Sequence, residues 1–210
     1  MNQMLTQVIE RYPVLQECGP ALERALDLFL ATYEQGGKLL ICGNGGSAAD
    51  SEHIVGELMK GFLRPRPLPA DLRHRLAADA GDEGRMIADH LQGALPAIAL
   101  TGHLALATAI ANDTRADMVF AQQVYGLGKP GDTLLGISTS GNARNVAHAF
   151  HVAKACGLHT VALTGRAGGV LATLADVAVC APADTVVAIQ ELHLPIYHAW
   201  CIALEAHFFP

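Results

Sequence analysis

KLLICGNGGSAADSEHIVGELMK, residues 38–60, changes its hydrophobic period part-way along. Residues 38–42 form a short apolar run of strand length, whereas 47–60 place Ile54, Val55 and Leu58 among polar residues at helical spacing. Between them stand Gly43, Gly45 and Gly46, which permit the tight turn that carries a buried strand into a helix. Such a unit belongs to a parallel sheet whose strands are joined by helical crossovers. Working outward, the same alternation recurs. Strands are expected at 97–100, 133–137, 160–163 and 176–180, and helices at 104–111, 118–127, 143–156 and 186–207. The spacing predicts an α/β fold, three-layer α/β/α, with a central five-stranded parallel sheet.

Upstream, Met4, Leu5, Val8, Ile9 and Tyr12 mark an amphipathic helix that Pro13 bends or ends. A second helix over 20–33 starts on Pro20 and stops at Gly36 and Gly37, so 1–35 is a helical N-terminal segment of one domain over 1–210. Residues 61–92 depart from the alternation. Arg64-Pro65-Arg66-Pro67-Leu68-Pro69 favours an extended connection, and 71–80 followed by 82–91 suggests two short helices. This excursion reads as surface decoration, with a lid or a subunit contact as the alternative.

Apolar residues make up 51% and charged residues 16% of the 210, enough for a buried core. A net charge of -6 with 14 Lys and Arg supplies no cationic field for nucleic acid. It does not exclude a small anion, because backbone N–H groups and helix ends hold phosphate without a basic surface. Cys18, Cys42, Cys156, Cys180 and Cys201 are scattered, without CxxC, and read as reduced buried thiols. The first residues lack the pattern of a secretion signal, and the apolar stretch 91–111 is broken by Gln92, Pro96, Gly102 and His103. A soluble cytoplasmic protein with no membrane partner is expected.

Two loops at expected strand ends carry the chemistry. In Gly43-Asn44-Gly45-Gly46-Ser47, Ser47 with Asp50 three positions on resembles a capping box, leaving first-turn N–H groups for an oxyanion. The loop matches neither GxxxxGK[ST] nor GxGxxG, so it favours neither ATP nor NAD, and a purely structural turn is the alternative. Ser138-Thr139-Ser140-Gly141-Asn142 adds three hydroxyls in the same strand-to-helix context. Two such loops at one carboxyl edge of a parallel sheet frame a shared crevice.

His53 and Glu57, four residues apart, project from one helix face. On the last helix Gln190 and His198 differ by eight positions, leaving them roughly 80° apart around the axis, while His193 points elsewhere and reads as a core or interface histidine. Spacing permits these groups to meet His53 and Glu57 without assembling them.

Taken with GNGGSAADSEHIVGE, the strings AIANDTRADMVFAQQV, GDTLLGISTSGNARNV, LTGRAGG and IQELHLPIYH run in order over nearly the whole chain. In these the sequence resembles the SIS-domain phosphosugar isomerases, closest to the sedoheptulose-7-phosphate isomerase (phosphoheptose isomerase) family. The resemblance implies the SIS fold and a homotetramer with active sites between subunits. It implies a phosphate held by Ser47, Ser138, Thr139 and Ser140, and a sugar pocket lined by Asn44, Gly45, Gly46, Asn112 and Asp113. It assigns Glu57 as the general base, which also meets substrate, His198 as the general acid and Gln190 as a substrate contact. It further implies zinc at His53, Glu57, Gln190 and His198, although a glutamate bound to metal is less free to act as base. The implied reaction opens a ketose 7-phosphate and converts it through an enediol to D-glycero-D-manno-heptose 7-phosphate. A noncatalytic phosphosugar-binding or adaptor protein, and an isomerase of another phosphosugar, are the alternatives. Three features depart from the family pattern: Ala143 stands where many relatives have serine, Val186-Val187-Ala188 lacks their polar residues, and 61–92 is longer than in compact members.

Overall fold

The computed structural model describes residues 2–210, so Met1, the first residue of the expected helical segment, lies outside the described residues. Asn2 caps α1 (Gln3–Arg11) by accepting from the Met4 N–H at 2.9 Å. Pro13 then opens a 3-10 turn, Pro13–Cys18, and α2 (Gly19–Glu34) follows. The remaining elements are β1 (Leu39–Gly43), α3 (Gly46–Met59), α4 (Ala70–His90), β2 (Ala97–Ala99), α5 (Leu104–Asp113), α6 (Val119–Leu127), β3 (Thr133–Ser138), α7 (Arg144–Ala155), β4 (His159–Gly165), α8 (Gly169–Leu174), β5 (Val177–Ala181) and α9 (Val186–Phe208).

All five strands are parallel, in the order β2-β1-β3-β4-β5. The chain leaves β1 for the edge strand β2 and then crosses back to β3 on the other side of β1. Connections therefore run in opposite directions from β1 and β3, the topological switch point at whose carboxyl ends open α/β sheets bind ligands. Gly43 pairs with Ile137, so the two serine-bearing loops leave the sheet side by side. Alternate residues face opposite layers. Leu39, Ile41, Leu135 and Ile137 join Leu22, Phe29, Ile196 and Trp200 in one core, while Leu40, Cys42 and Leu134 join Phe120, Val146 and Phe150 in the other. This is the expected three-layer α/β/α arrangement.

Three local features correct or complete the sequence reading. Gly45, at φ 57° and ψ -122°, is the residue before α3; Ser47 lies inside the first turn and Asp50 turns to Tyr197, so no capping box forms. The short helix α8 was not anticipated, because six residues hold too little periodicity to register. In the 61–92 excursion the two expected helices are present and fold back on each other at Gly81, whose φ is 57°. Arg73 donates to the Ala88 carbonyl at 2.8 Å and pairs with Asp89, positions that a straight helix would hold about 20 Å apart. A Cβ on Gly84 would lie 1.8 Å from the Leu76 carbonyl oxygen, so only glycine permits the two arms to touch. Among the described residues no helix is long and apolar enough to cross a membrane.

Candidate active site

Loop one is shaped by its glycines and anchored at both ends. A Cβ on Gly43 would stand 2.6 Å from the Ser47 carbonyl oxygen, so the turn into α3 closes only on glycine. Asn44 and Asn145 exchange amide hydrogen bonds, each 2.9 Å, tying loop one to the start of α7 just beyond loop two. Ser47 is buried, and its carbonyl accepts from Ser51 Oγ at 2.8 Å. Gln190 at the start of α9 reaches the same loop: a Cβ on Gly46 would lie 2.1 Å from the Gln190 amide nitrogen.

In loop two, the Gly141 N–H donates to the Ser138 carbonyl at 3.0 Å, with Gly141 at φ 66°. The unanticipated α8 braces it. Leu171 N–H donates to the Gly141 carbonyl at 2.9 Å and Val170 N–H to Asn142 Oδ1 at 3.0 Å. Thr139 and Ser140 line a cavity of about 280 Å³ with Asn142, Arg166, Asp184 and Ile189. Ala143, the residue before α7, offers no hydroxyl there.

The titratable groups gather farther along α3. His53 Nε2 lies 3.1 Å from Glu57 Oε1, as the four-residue spacing predicts, and Lys60 Nζ lies 3.4 Å from Glu57 Oε2. Glu57 is only 13% exposed. His53 Nδ1 lies 3.0 Å from the Tyr197 hydroxyl, which donates to Asp50 Oδ1 at 3.2 Å. With its one proton on Asp50, Tyr197 can only accept from His53 Nδ1, and the Glu57 carboxylate can only accept from Nε2–H, so each contact is a hydrogen bond when its own ring nitrogen carries the proton. Burial raises the Asp50 carboxyl, opposed by its bond from Tyr197 and the nearby His53.

His198 completes the group from α9. Its ring centroid is 5.0 Å from that of His53 and 5.3 Å from that of Phe62. Burial and the neighbouring His53 hold its pKa below the ordinary histidine value against the pull of Glu57, which favours the neutral ring. Its Nε2 is buried with no hydrogen-bond partner. A neutral imidazole still donates through its N–H.

The expected residues thus fall into two groups. Asn44, Gly45, Gly46, Ser47, Ser138, Thr139, Ser140 and Gln190 cluster at the loops; His53, Glu57 and His198 cluster beyond them. Asn112 and Asp113 sit exposed at the end of α5, bonded to each other at 2.8 Å, with no hydrogen bond to either loop among the described residues. For zinc, the donor types suit the ion, but no three His, Cys, Asp or Glu side chains among the described residues converge on one point. His53 has both ring nitrogens engaged, and the Gln190 amide, carried by α9, lies against loop one. Sequence reasoning missed Tyr197, the Asp50 contact and Asn145. The string LPIYH holds Tyr197 beside His198, but its partners lie on another helix.

The family described as the SIS domain matches residues 4–82 and 74–165. A phosphoheptose isomerase from Thiobacillus denitrificans is 41% identical over 190 residues, covering 89% of this chain and 83% of that protein. One from Akkermansia muciniphila is 34% identical over 208 residues, covering 99% and 96%. The solved structure of a phosphoheptose isomerase from Neisseria gonorrhoeae, 34% identical and covering 96% of each chain, superposes with a TM-score of 0.73. That of a phosphoheptose isomerase from Francisella tularensis is 30% identical, covers 96% of this chain and 92% of the other, and gives 0.74.

Proposed function

The chain belongs to the SIS-domain phosphoheptose isomerase family, and from that premise we propose that it converts sedoheptulose 7-phosphate to D-glycero-D-manno-heptose 7-phosphate with Glu57 and His198 moving the protons. The reaction is an aldose-ketose isomerisation. Loop one and loop two take the phosphate through Ser47, Ser138, Thr139, Ser140 and their backbone N–H groups, with the Gln190 amide alongside. The interval from Gln190 to His198 is about 12 Å along α9, which suits an open seven-carbon chain laid from phosphate to reacting carbons.

Glu57 takes the C1 proton of the ketose as the C1–H electron pair forms the C1=C2 bond. His198 gives a proton to O2, which would otherwise become an alkoxide. The enediol then collapses to the aldehyde: the O1 proton goes back to His198, Glu57 returns its proton to C2, and both groups end as they began. His53 holds the Glu57 carboxylate in place from one side. The observation that carries this reading is the half-buried Glu57 bonded to His53, whose ring abuts that of His198, together with a His198 Nε2 that has no protein partner.

Incubation with sedoheptulose 7-phosphate in deuterated water tests it. The expected outcome is aldoheptose phosphate carrying solvent-derived deuterium at C2, with Glu57→Gln lowering kcat by about 10²- to 10⁴-fold. Absence of product from the intact protein would sink the reading. Zinc at His53, Glu57, Gln190 and His198 is a separate proposal that no step above uses. Binding would require His53 to leave Glu57 or Tyr197, and metal analysis of the purified protein decides it. The proposal also includes a homotetramer with sites between subunits. Exposed Met59, Leu63 and Leu194 near the site support it, and light scattering measures it.

A further inference from the structure

Beyond α3 the chain crosses α9 in a strap over residues 61–66, and one fully buried ion pair holds it there. Arg66 and Glu205 are 0% and 1% exposed, with Arg66 Nε donating to Glu205 Oε1 at 2.8 Å. Glu205 Oε1 also accepts the Phe62 N–H at 2.8 Å, and Oε2 accepts the N–H groups of Leu63 at 2.8 Å and Arg64 at 3.1 Å. The other arms of the guanidinium reach back to α3: Nη1 donates to the Leu58 carbonyl at 2.7 Å and Nη2 to the Glu57 carbonyl at 2.9 Å.

We propose that Arg66 is a positioning residue, and that the Arg66–Glu205 pair sets the separation between Glu57 and His198 by clamping the last turn of α3 to α9. The inference rests on the catalytic roles proposed for those two residues. Glu205 follows His198 by seven positions, two turns along α9 and about 20° around it, so both face the strap. Phe62, whose N–H Glu205 holds, packs its ring against His198. One carboxylate thus fixes the residue that abuts the acid, and its partner guanidinium fixes the backbone of the base. The last carbonyls of a helix have no intrahelical donors, and a cation there also opposes the negative end of the helix dipole. Stability alone accounts poorly for the pair, because apolar residues of similar volume serve as well as a buried ion pair in many proteins. An apolar pair has no donor for the Glu57 carbonyl.

Kinetics of intact protein carrying Arg66→Lys, beside wild type and Glu57→Gln, test the clamp. Lysine keeps the charge but lacks the fork that reaches two carbonyls and a carboxylate together. For Arg66→Lys with unchanged circular dichroism, kcat is expected to fall about 10- to 100-fold with KM within about 2-fold, since misplacing a reacting group by about 1 Å costs up to 10²-fold. The deuterium isotope effect with C1-deuterated sedoheptulose 7-phosphate is expected to rise as proton abstraction slows. A folded Arg66→Lys protein with wild-type kcat, or with only KM changed, overturns the proposal. If Arg66→Lys does not fold, Phe62→Leu loosens the strap against His198 without touching buried charge. A kcat loss of about 3- to 10-fold then supports the clamp and an unchanged kcat overturns it. An active wild type with silent variants refutes the clamp alone, whereas an inactive wild type removes the catalytic reading as well.

Discussion

Gly46 carries little chemistry of its own, yet it decides whether Gln190 can reach loop one. A methyl group there would lie 2.1 Å from the Gln190 amide nitrogen. What it meets is the end of a flexible side chain, so Gly46→Ala should displace Gln190 and leave the loop standing. The expected result is a KM for sedoheptulose 7-phosphate raised about 10-fold, the worth of one good hydrogen bond, with a melting temperature nearly unchanged. Steady-state kinetics and a thermal melt on one preparation separate the two effects. A large fall in melting temperature with KM unmoved would show that the loop gave way instead. At this scale the sequence was legible where partners sit on one helix. His53 and Glu57 pair as their spacing requires. It was illegible where a partner lies far along the chain: Tyr197 is 144 residues from His53 and Asn145 is 101 from Asn44, and no periodicity links them. Ser47 and Asp50 failed as a capping box because Gly45 turns the chain two residues earlier and Tyr197 claims Asp50.

The strands and longer helices were legible because apolar periodicity survives over many residues, and the structure shifts their ends by only a residue or two. The unanticipated α8 has six residues, and the clasp it makes on loop two comes through backbone groups that no sequence pattern records. The helical hairpin of α4 is the element whose purpose the sequence left open. Its arms bury only Gly84 and Ala88, and the chain leaves and re-enters at nearly one point, with the Gly93 N–H donating to the Arg66 carbonyl at 2.7 Å. With two residues in place of 67–92, the same bond would close a four-residue turn. Replacing residues 67–92 with Asn-Gly should therefore preserve the sheet and the Arg66 clamp, at the cost of one strap contact, the Gly61 N–H donating to the Gln92 side chain at 2.6 Å. The shortened protein is expected to fold with a melting temperature within about 5 °C of the parent, since little apolar surface is lost, and to keep kcat within a few-fold. Loss of activity in a folded shortened chain would give the hairpin a place in the site.

Across the whole molecule, the reversal between β1 and β3 brings the two serine-bearing loops together, and the packing of α9 over that edge brings His198 to the His53 and Glu57 face of α3. The same packing buries His193 under α9, fully enclosed, with Nε2 3.1 Å from the Thr164 carbonyl. Burial pushes its pKa down to about 4 from the usual 6.5, outweighing the bond to Thr164. The unfolded chain therefore takes up a proton at His193 as pH falls through about 6.5, while the folded chain resists until about 4. Folding stability tied to this ring is complete above that window and drains away across it, by on the order of 3 kcal/mol in all. Glu205 extends the loss to lower pH. Burial alone would raise its carboxyl, but the N–H groups of Phe62 and Leu63 and the Arg66 guanidinium hold it below its usual 4.5. Its contribution is present above 4.5 and is lost as pH falls through its lowered folded value. Melting temperature measured from pH 7 to pH 3 should fall, with the His193 part of the loss lying between about 6.5 and 4 and the Glu205 part beginning near 4.5. Only the His193 part should flatten in His193→Gln, which keeps a donor for Thr164 and removes the titration. Parallel curves for the two proteins between pH 6.5 and 4 would mean that another group sets the acid limit of the fold.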